Sequence, residues 1–188
     1  RVAPSRLRLY WRDPRTGRPY RRFAKVERVI KAAGDGVEFM MNAGIFERGG
    51  VPTGLHVEGG NELRPLNLKE GEGNFYLKPN GVFGVGADGR AFVLESRAYA
   101  RSRRRPRLAV QSGPLLLRRG RVHPRFNARS RHRRDRNGVG VDGQGRAVFV
   151  CTAAGQETYA TLHAFARFFL ALGCADALCL DGDLSHMV

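Results

Sequence analysis

Residues 82–95, VFGVGADGRAFVLE, place the pair Asp88-Gly89 between two alternating apolar segments. Asp-Gly in that setting is the strongest short-range signal for a β-hairpin. The same pattern returns further along the chain, where GVGVD (138–142) and RAVFVCT (146–152) flank Gly143-Gln144-Gly145. Working outward from these two hairpins, we expect the middle of the chain to be an antiparallel β-meander.

Further short segments carry the alternation or the continuous apolarity of strands. They are RLRLYW (6–11), VEFMM (37–41), LHVEG (55–59), ELRPLN (62–67), NFYL (74–77), LAVQ (108–111), LLLRRGRV (115–122) and ADALCL (175–180). Most are only four to six residues long and are separated by Gly, Pro or Asn, which favours turns between them.

Two segments have the spacing of amphipathic helices. From Tyr20 to Ala33, apolar residues recur every three or four positions, and Gly34 follows as a stop signal. A second helix is predicted over 159–172, with Thr158 as its N-cap and Gly173 at its end. We therefore predict one α+β domain over residues 1–188, with a mixed, mostly antiparallel β-sheet core and two main helices packed on it.

The chain is strongly basic, with a net charge of +16 from 33 Lys and Arg against 17 Asp and Glu. Such an excess favours polyanionic partners without choosing among them. The basic residues are concentrated in 101–107 and 118–136, both in turn-rich sequence, and a solvated surface is the alternative interpretation for most of them. The chain has no apolar run near the ~20 residues that span a bilayer.

The three cysteines lack the spacing of a zinc site or of a disulfide framework. Cys151 and Cys179 lie in apolar strand patterns, and Cys174 precedes the last of them. We expect packed thiols rather than a disulfide.

Polar residues stand where predicted apolar strands end. They are Asn42, Gln111, Ser112, Arg136 and Asp181. A buried Gln or Asp needs partners, and strand ends are where sheet proteins commonly assemble sites. Each also has a structural interpretation: a turn for Asn42, mutual hydrogen bonds for Gln111 and Ser112, a solvated charge for Arg136 and an ion pair for Asp181. We predict that these strand ends meet in one pocket.

Seven blocks in order give the chain a family resemblance. They are MNAGIF (41–46), PTGL (52–55), GNFYLKPNGVFGV (73–85), QSGPLLL (111–117), RNGVGVD (136–142), FARFF (165–169) and LGCADALCLDG (172–182). Together they resemble the phosphodiester glycosidase family, and within it the small, bacterial, exported branch. The resemblance implies hydrolysis of the bond between a sugar's anomeric carbon and a phosphodiester, as in a GlcNAc-1-phosphodiester.

The resemblance also implies site residues. Asp181, Arg136 and Asn42 would be catalytic. Substrate would be bound by Gly44, Lys78, Gln111, Ser112, Gly113, Asn137, Gly182 and Ser185. A conventional mechanism needs a second carboxylate, for which Glu47, Asp135 and Asp183 are candidates. Ala43, Asp183 and Leu184 stand where relatives have glycines.

The implied partner is a phosphorylated sugar or an anionic glycopolymer, and the implied location is periplasmic or secreted. Because the chain begins at Arg1 rather than Met, we expect that a leader or a tag was removed before residue 1. No cofactor is implied, although Asp181 and Asp183 have the chemistry of a calcium site. The alternative function is an arginine-rich module that binds nucleic acid or an anionic glycan without catalysis, and a third is an inactive relative with the same fold.

Overall fold

Two five-stranded antiparallel sheets form the centre of the protein in a computed structural model that describes residues 1–153 and 156–181. In chain order the strands are β1 (Phe46–Glu47), β2 (Val51–Pro52), β3 (His56–Glu58), β4 (Asn61–Arg64), β5 (Gly81–Gly86), β6 (Ala91–Glu95), β7 (Pro106–Ser112), β8 (Leu115–Arg118), β9 (Arg121–Val122), β10 (Asn137–Asp142), β11 (Ala147–Cys151) and β12 (Cys174–Cys179). The helices are α1 (Phe23–Ala32), α2 (Ser96–Ser102) and α3 (Leu162–Ala171).

The first sheet has the order β4-β3-β7-β5-β6, and the second has the order β11-β10-β12-β8-β9. β1 and β2 form a separate two-stranded ribbon. Each strand pair within the two sheets that the structure describes is antiparallel.

Apolar side chains divide among three cores that define the layers. The core between the two sheets contains Phe83, Val85, Val93, Leu108, Val110, Leu115, Val139, Leu178 and Leu180. The outer face of the second sheet packs on α3 through Phe165, Ala166 and Phe169. The outer face of the first sheet packs on α2 through Tyr99. The layers therefore run α3, second sheet, first sheet, α2, and the predicted α+β class is confirmed.

Both hairpins from which the prediction started are confirmed. β5 and β6 pair Phe83 with Val93 across the Asp88-Gly89 turn. β10 and β11 pair Val139 with Phe149. The β-sheet core consists of two sheets that bury one apolar face against each other, a division that the sequence pattern does not specify.

Three predicted strands are not strands. Residues 6–11 and 37–40 belong to no strand and Met41 forms only an isolated bridge, although Phe39, Met41 and Ala43 still pack on the inter-sheet core at alternate positions. In NFYL, Asn74–Tyr76 is a 3₁₀ turn, and Asn80 Nδ2 donates to Phe75 O (2.8 Å). Apolar alternation describes which side chains are buried, and it does not provide the neighbouring strand that a ladder needs.

Both predicted helices begin later in the chain than the sequence pattern indicates. α1 begins at Phe23, and Gly34 has the positive φ (81°) expected after a helix end. The N-cap of α3 is Thr161, whose Oγ1 accepts from Ala164 N (3.1 Å). Thr158 instead donates to Ala153 O (2.6 Å). α2 was not predicted, because its seven residues run into the basic cluster and carry only a short apolar pattern. Among the helices that the structure describes, none combines the length and the apolarity that a bilayer-spanning helix requires.

Candidate active site

In the second sheet, β10 begins beside the ends of β11 and β12. β10 pairs Asn137 with Cys151 of β11 and Gly138 with Cys179 of β12. One residue further along this register, Arg136 comes between Thr152 on one side and Asp181 on the other. Backbone hydrogen bonds hold this row, from Thr152 N to Arg136 O (2.8 Å) and from Leu180 N to Asn137 O (3.0 Å).

A fourth segment, the turn that begins at Asn42, closes on this row. Asn42 Nδ2 donates to Asp181 Oδ2 (2.9 Å), and Asp181 N donates to Ala43 O (2.9 Å). Asn137 Nδ2 donates to both oxygens of Asn42, the backbone O (3.2 Å) and Oδ1 (3.0 Å). Asn42, Asn137 and Asp181 therefore form one hydrogen-bonded chain, assembled from three distant parts of the sequence.

Arg136 is buried at the edge of this group, with 2% of its surface exposed. Its Nε donates to Ala160 O (3.3 Å), just before α3. The charges of Arg136 and Asp181 both influence the thiol of Cys179. Burial raises the pKa of the Cys179 thiol to about 12, while the Arg136 charge lowers this pKa and the Asp181 charge raises it. Both charges therefore act on one buried sulfur.

Asp135 and Thr152 flank Arg136. Thr152 Oγ1 donates to Asp135 Oδ1, and Arg136 N donates to Thr152 Oγ1 (3.0 Å) and to Asp135 Oδ1 (3.1 Å). Among the candidates for a second carboxylate, Asp135 is thus bound into the site, whereas Glu47 lies exposed in β1. Asp183 lies outside the described residues. Thr152 was missed by the sequence analysis, although it also follows an apolar strand.

Gly44 and Ser112 connect the Asn42 turn to the first sheet. A Cβ on Gly44 would lie 2.5 Å from Val110 Cγ2 and 2.6 Å from Gln111 O, so only glycine permits this approach. One residue on, Ile45 N donates to Ser112 Oγ (3.4 Å). Both residues therefore position the turn that carries Asn42.

Gln111 is also buried, but its side chain binds other parts of the fold. Its Oε1 accepts from Leu55 N (3.1 Å) and Asn67 N (2.9 Å), and its Nε2 donates to Asn67 O (2.7 Å) and Ser96 Oγ (3.1 Å). These four bonds fill the capacity of the amide. Gly113 lies against Asn80 and Phe75, because a Cβ there would be 2.7 Å from Asn80 Cβ. The geometry thus gives both residues a role in the fold.

Lys78 lies apart from the Asn42 and Asp181 group. It is half-buried and lines a separate cavity of about 400 Å³ with Glu95 and Arg97. Gly182 and Ser185, also predicted to bind substrate, lie outside the described residues.

The Asn42 turn borders a cavity of about 1130 Å³. Asn42, Ala43, Gly44 and Leu180 line one part of it, and the N-terminal segment and α1 line another. Trp11 and His56 also line this cavity. His56 Nε2 lies 2.7 Å from Glu58 Oε1, and Trp11 packs edge-on against the imidazole at 5.6 Å between ring centroids. These three residues carry no distinguishing signal in the sequence, because each lies within an ordinary strand pattern.

No group of three or more His, Cys, Asp or Glu that could hold a metal ion occurs in the described ranges. The predicted calcium pair includes Asp183, which those ranges do not cover.

Comparison with known proteins identifies the family. The model of the phosphodiester glycosidase family matches residues 35–188. The chain belongs to this family. The uncharacterized protein YigE of Escherichia coli strain K12 is 34% identical over 184 residues, which are 97% of this chain and 69% of that protein. Membership supports a hydrolase of the phosphodiester glycosidase type.

Two solved structures share the fold of this phosphodiester glycosidase domain. The catalytic domain of zebrafish N-acetylglucosamine-1-phosphodiester α-N-acetylglucosaminidase, auto-inhibited by its pro-peptide, superposes with a TM-score of 0.60 at 18% identity, over 80% of this chain and 52% of that one. A hypothetical protein from Synechocystis superposes with a TM-score of 0.51 at 14% identity, over 86% and 48%. The chain thus spans about half the length of each solved relative.

Proposed function

We propose that this protein hydrolyses the bond between the anomeric carbon of a sugar and the phosphate of a phosphodiester, in an envelope or extracellular glycopolymer. The observation that carries the proposal is the hydrogen-bonded chain Asn137–Asn42–Asp181 beside Arg136, in a member of the phosphodiester glycosidase family. The proposed envelope or extracellular location has its support in the exported branch that the sequence resembles.

The direction of the hydrogen bonds makes Asp181 Oδ2 an acceptor toward Asn42. Asn137 donates to Asn42 Oδ1, so the Nδ2 of Asn42 points at Asp181. An amide nitrogen only donates, and Asp181 Oδ2 is therefore an acceptor. An ionised carboxylate in this position suits either of two roles: nucleophile at the anomeric carbon, or base toward an attacking water.

Arg136 suits the departing phosphate. In the reaction, an oxygen forms a bond to the anomeric carbon, and the bond from that carbon to the phosphate oxygen breaks with its electron pair. The leaving phosphomonoester gains negative charge, which a guanidinium stabilises. Because phosphate leaves readily, less general-acid help is needed than for an ordinary glycoside. Asp135, bound to Thr152 and to Arg136 N, is our choice for the second carboxylate.

The test uses UDP-GlcNAc and an aryl α-GlcNAc-1-phosphodiester as substrates, with released sugar and released phosphate ester measured separately. We expect both products in equal amounts from at least one substrate. Asp181→Asn should lower kcat by about 10²–10⁴-fold, the usual contribution of such a group. The matched control is Asp176→Asn, which replaces a half-buried aspartate of β12 whose carboxylate accepts from Arg119 N. This control should retain the wild-type rate.

Two results would count against the proposal. One is the absence of product from every substrate of this class. The other is product formation that Asp181→Asn leaves unchanged. Binding of polyanions that survives Asp181→Asn, without any product, would favour the non-catalytic module.

A further inference from the structure

A basic loop, residues 123–135 between β9 and β10, is fixed at both ends. His123 is buried, its N donates to Leu116 O (3.1 Å), and its ring stacks on Phe126 at 4.6 Å between centroids. At the other end, Arg134 and Ala160 exchange two backbone hydrogen bonds, Arg134 N to Ala160 O (3.2 Å) and Ala160 N to Arg134 O (3.0 Å). The loop therefore holds a defined path along the surface.

The basic loop presents its charges to solvent. Its exposed arginines are Arg125, Arg129, Arg131, Arg133 and Arg134. None of them forms a salt bridge with a carboxylate in the part of the chain that the structure describes. The only acidic residue of the loop is Asp135, which is bound to Thr152 and Arg136 N. The arginines are thus available to anionic groups.

The loop leads directly into the candidate active site. Ala160 O accepts both from Arg134 N and from Arg136 Nε. Arg136 in turn follows Asp135 and lies opposite Asp181 in the sheet register. Along the chain, a line of exposed positive charge therefore runs from Arg125 to the residues that we propose to act on one phosphodiester. A substrate with a single phosphate would use only the end of this line.

We propose that the basic loop binds neighbouring phosphates of a flexible polymer whose repeating units are joined through phosphodiesters, and that it thereby delivers one linkage to Asp181. The catalytic part of this statement rests on the proposed function, whereas the binding part stands alone. Single-stranded nucleic acid is disfavoured, because its binding sites stack bases on exposed aromatic rings. The one Phe, Tyr or Trp of the loop is Phe126, and its ring packs on His123 and the α3 core.

The binding test uses fluorescently labelled poly(glycerol phosphate) and follows anisotropy as salt is raised. The test variant is Arg129→Gln/Arg131→Gln/Arg133→Gln. The control is Arg101→Gln/Arg103→Gln/Arg105→Gln, which removes the same charge from the other exposed basic cluster. That cluster precedes β7, and the seven residues of β7, ~20 Å of strand, separate it from Ser112 and the site.

We expect the loop variant to lose three phosphate contacts. With ~0.7 released counterions per contact, the slope of log K against log salt should fall by about 2. Between about 50 and about 200 mM salt, the wild type should then lose roughly 16-fold more affinity than the loop variant. The control variant should keep most of the wild-type slope. A loop variant that binds with the wild-type slope would overturn the proposal, as would an equal loss in the control.

Activity and competition complete the test. The loop variant should hydrolyse the small aryl substrate with the wild-type kcat/KM, while its KM for a polymer of GlcNAc units joined through 1-phosphodiesters rises. If neither protein hydrolyses any substrate, the proposed function fails and the binding result still decides the role of the loop. An oligonucleotide of matched charge that displaces the polymer at a tenth of its concentration or less would overturn the assignment in favour of nucleic acid.

Discussion

At the scale of single residues, Asn137 controls the geometry around Asp181 without facing the reaction itself. It is fully buried, and its Nδ2 holds both oxygens of Asn42. Its own Oδ1 is buried and has no hydrogen-bond partner within the described residues. Because Asn137 occupies the acceptor end of the Asn42 amide, the donor end is directed at Asp181. Asn137 is therefore a positioning residue.

Replacing the Asn137 amide with a carboxyl should make the loss of activity depend on pH. In Asn137→Asp, an ionised group would face two oxygens of Asn42 and repel them. Burial and these oxygens both raise the pKa of the introduced carboxyl, and only its protonated form donates to Asn42. We expect kcat near neutral pH to fall by about 10²-fold, the usual effect of a small misplacement. The ratio of variant to wild-type kcat should rise as the pH falls through that raised pKa.

The measurement is a pH profile of kcat for the wild type, Asn137→Asp and Asn137→Ala. The alanine variant has no titrating group, so its deficit should be the same at every pH. A constant ratio for Asn137→Asp across the profile would show that Asn137 only fills space.

The individual site residues show how far the sequence reaches. Asn42, Arg136 and Asp181 were predicted because each is a polar residue where an apolar strand ends. Gln111 obeys the same rule, yet its four hydrogen bonds go to the fold, two of them to Asn67, 44 residues earlier. Periodicity identifies a buried polar side chain, and it does not reveal which distant loop supplies its partners.

At the scale of elements, β10 carries the site at its start and supports α3 along its length. Gly138 and Gly140 lie under the helix, and a Cβ on Gly140 would be 2.7 Å from Cys174 Sγ and 2.9 Å from Phe169 Cδ1. The alternation of small residues in GVGVD thus creates a flat strip on which Phe165 and Phe169 pack.

Gly140→Ala should therefore push α3 away from the second sheet. Overpacking of this kind costs about 1–3 kcal/mol in the free energy of unfolding. The control is Gly143→Ala in the adjacent turn, where a Cβ has no heavy atom within 4 Å and φ is not positive. Urea unfolding of both variants measures the difference. Equal midpoints would show that the strand and helix shift apart without cost.

The sequence predicts strand pairs correctly where both strands and their turn lie close together in the chain. The β5–β6 and β10–β11 hairpins each contain both strands and their turn within about 15 residues, so the pairing partner is part of the pattern. Residues 37–41 have equal apolarity but no partner strand close by in the chain, and only Met41 among them forms a β-bridge. The resulting segment still delivers Asn42, because burial of Phe39, Met41 and Ala43 fixes its path.

At the scale of the whole molecule, the four-layer arrangement was beyond the sequence pattern. Strands of both sheets show the same alternation, and the division between them depends on crossovers such as β7 to β8, where the chain leaves the first sheet for the second. That crossover passes through Ser112-Gly113-Pro114, and it brings the two sheet ends together at the candidate site. The site thus depends on the packing of the sheets against each other.

The reactivity of the cysteine thiols measures whether α3 separates from the second sheet. The structure describes all three as free thiols. Cys174 and Cys179 are buried between the second sheet and α3, and burial raises their pKa values to about 11 and about 12. Cys151 is half-buried, and its pKa is raised by burial and by the Asp135 charge. At pH 8 the folded protein therefore holds less reactive thiolate at each position than the unfolded chain, in which the pKa is near 9.

We expect iodoacetamide at pH 8 to modify Cys151 slowly in the native protein and to spare Cys174 and Cys179. In urea, modification of the two buried thiols should follow the global unfolding transition measured by far-UV circular dichroism, because both lie in one core with α3. Since their pKa values are raised on folding, the stability they contribute is complete below about pH 9 and declines as the pH rises toward their folded values. Peptide mass spectrometry resolves the three sites. Modification of Cys179 well below the urea midpoint would mean that α3 detaches before the sheets unfold, and that Arg136 loses its contact with Ala160 at the same step.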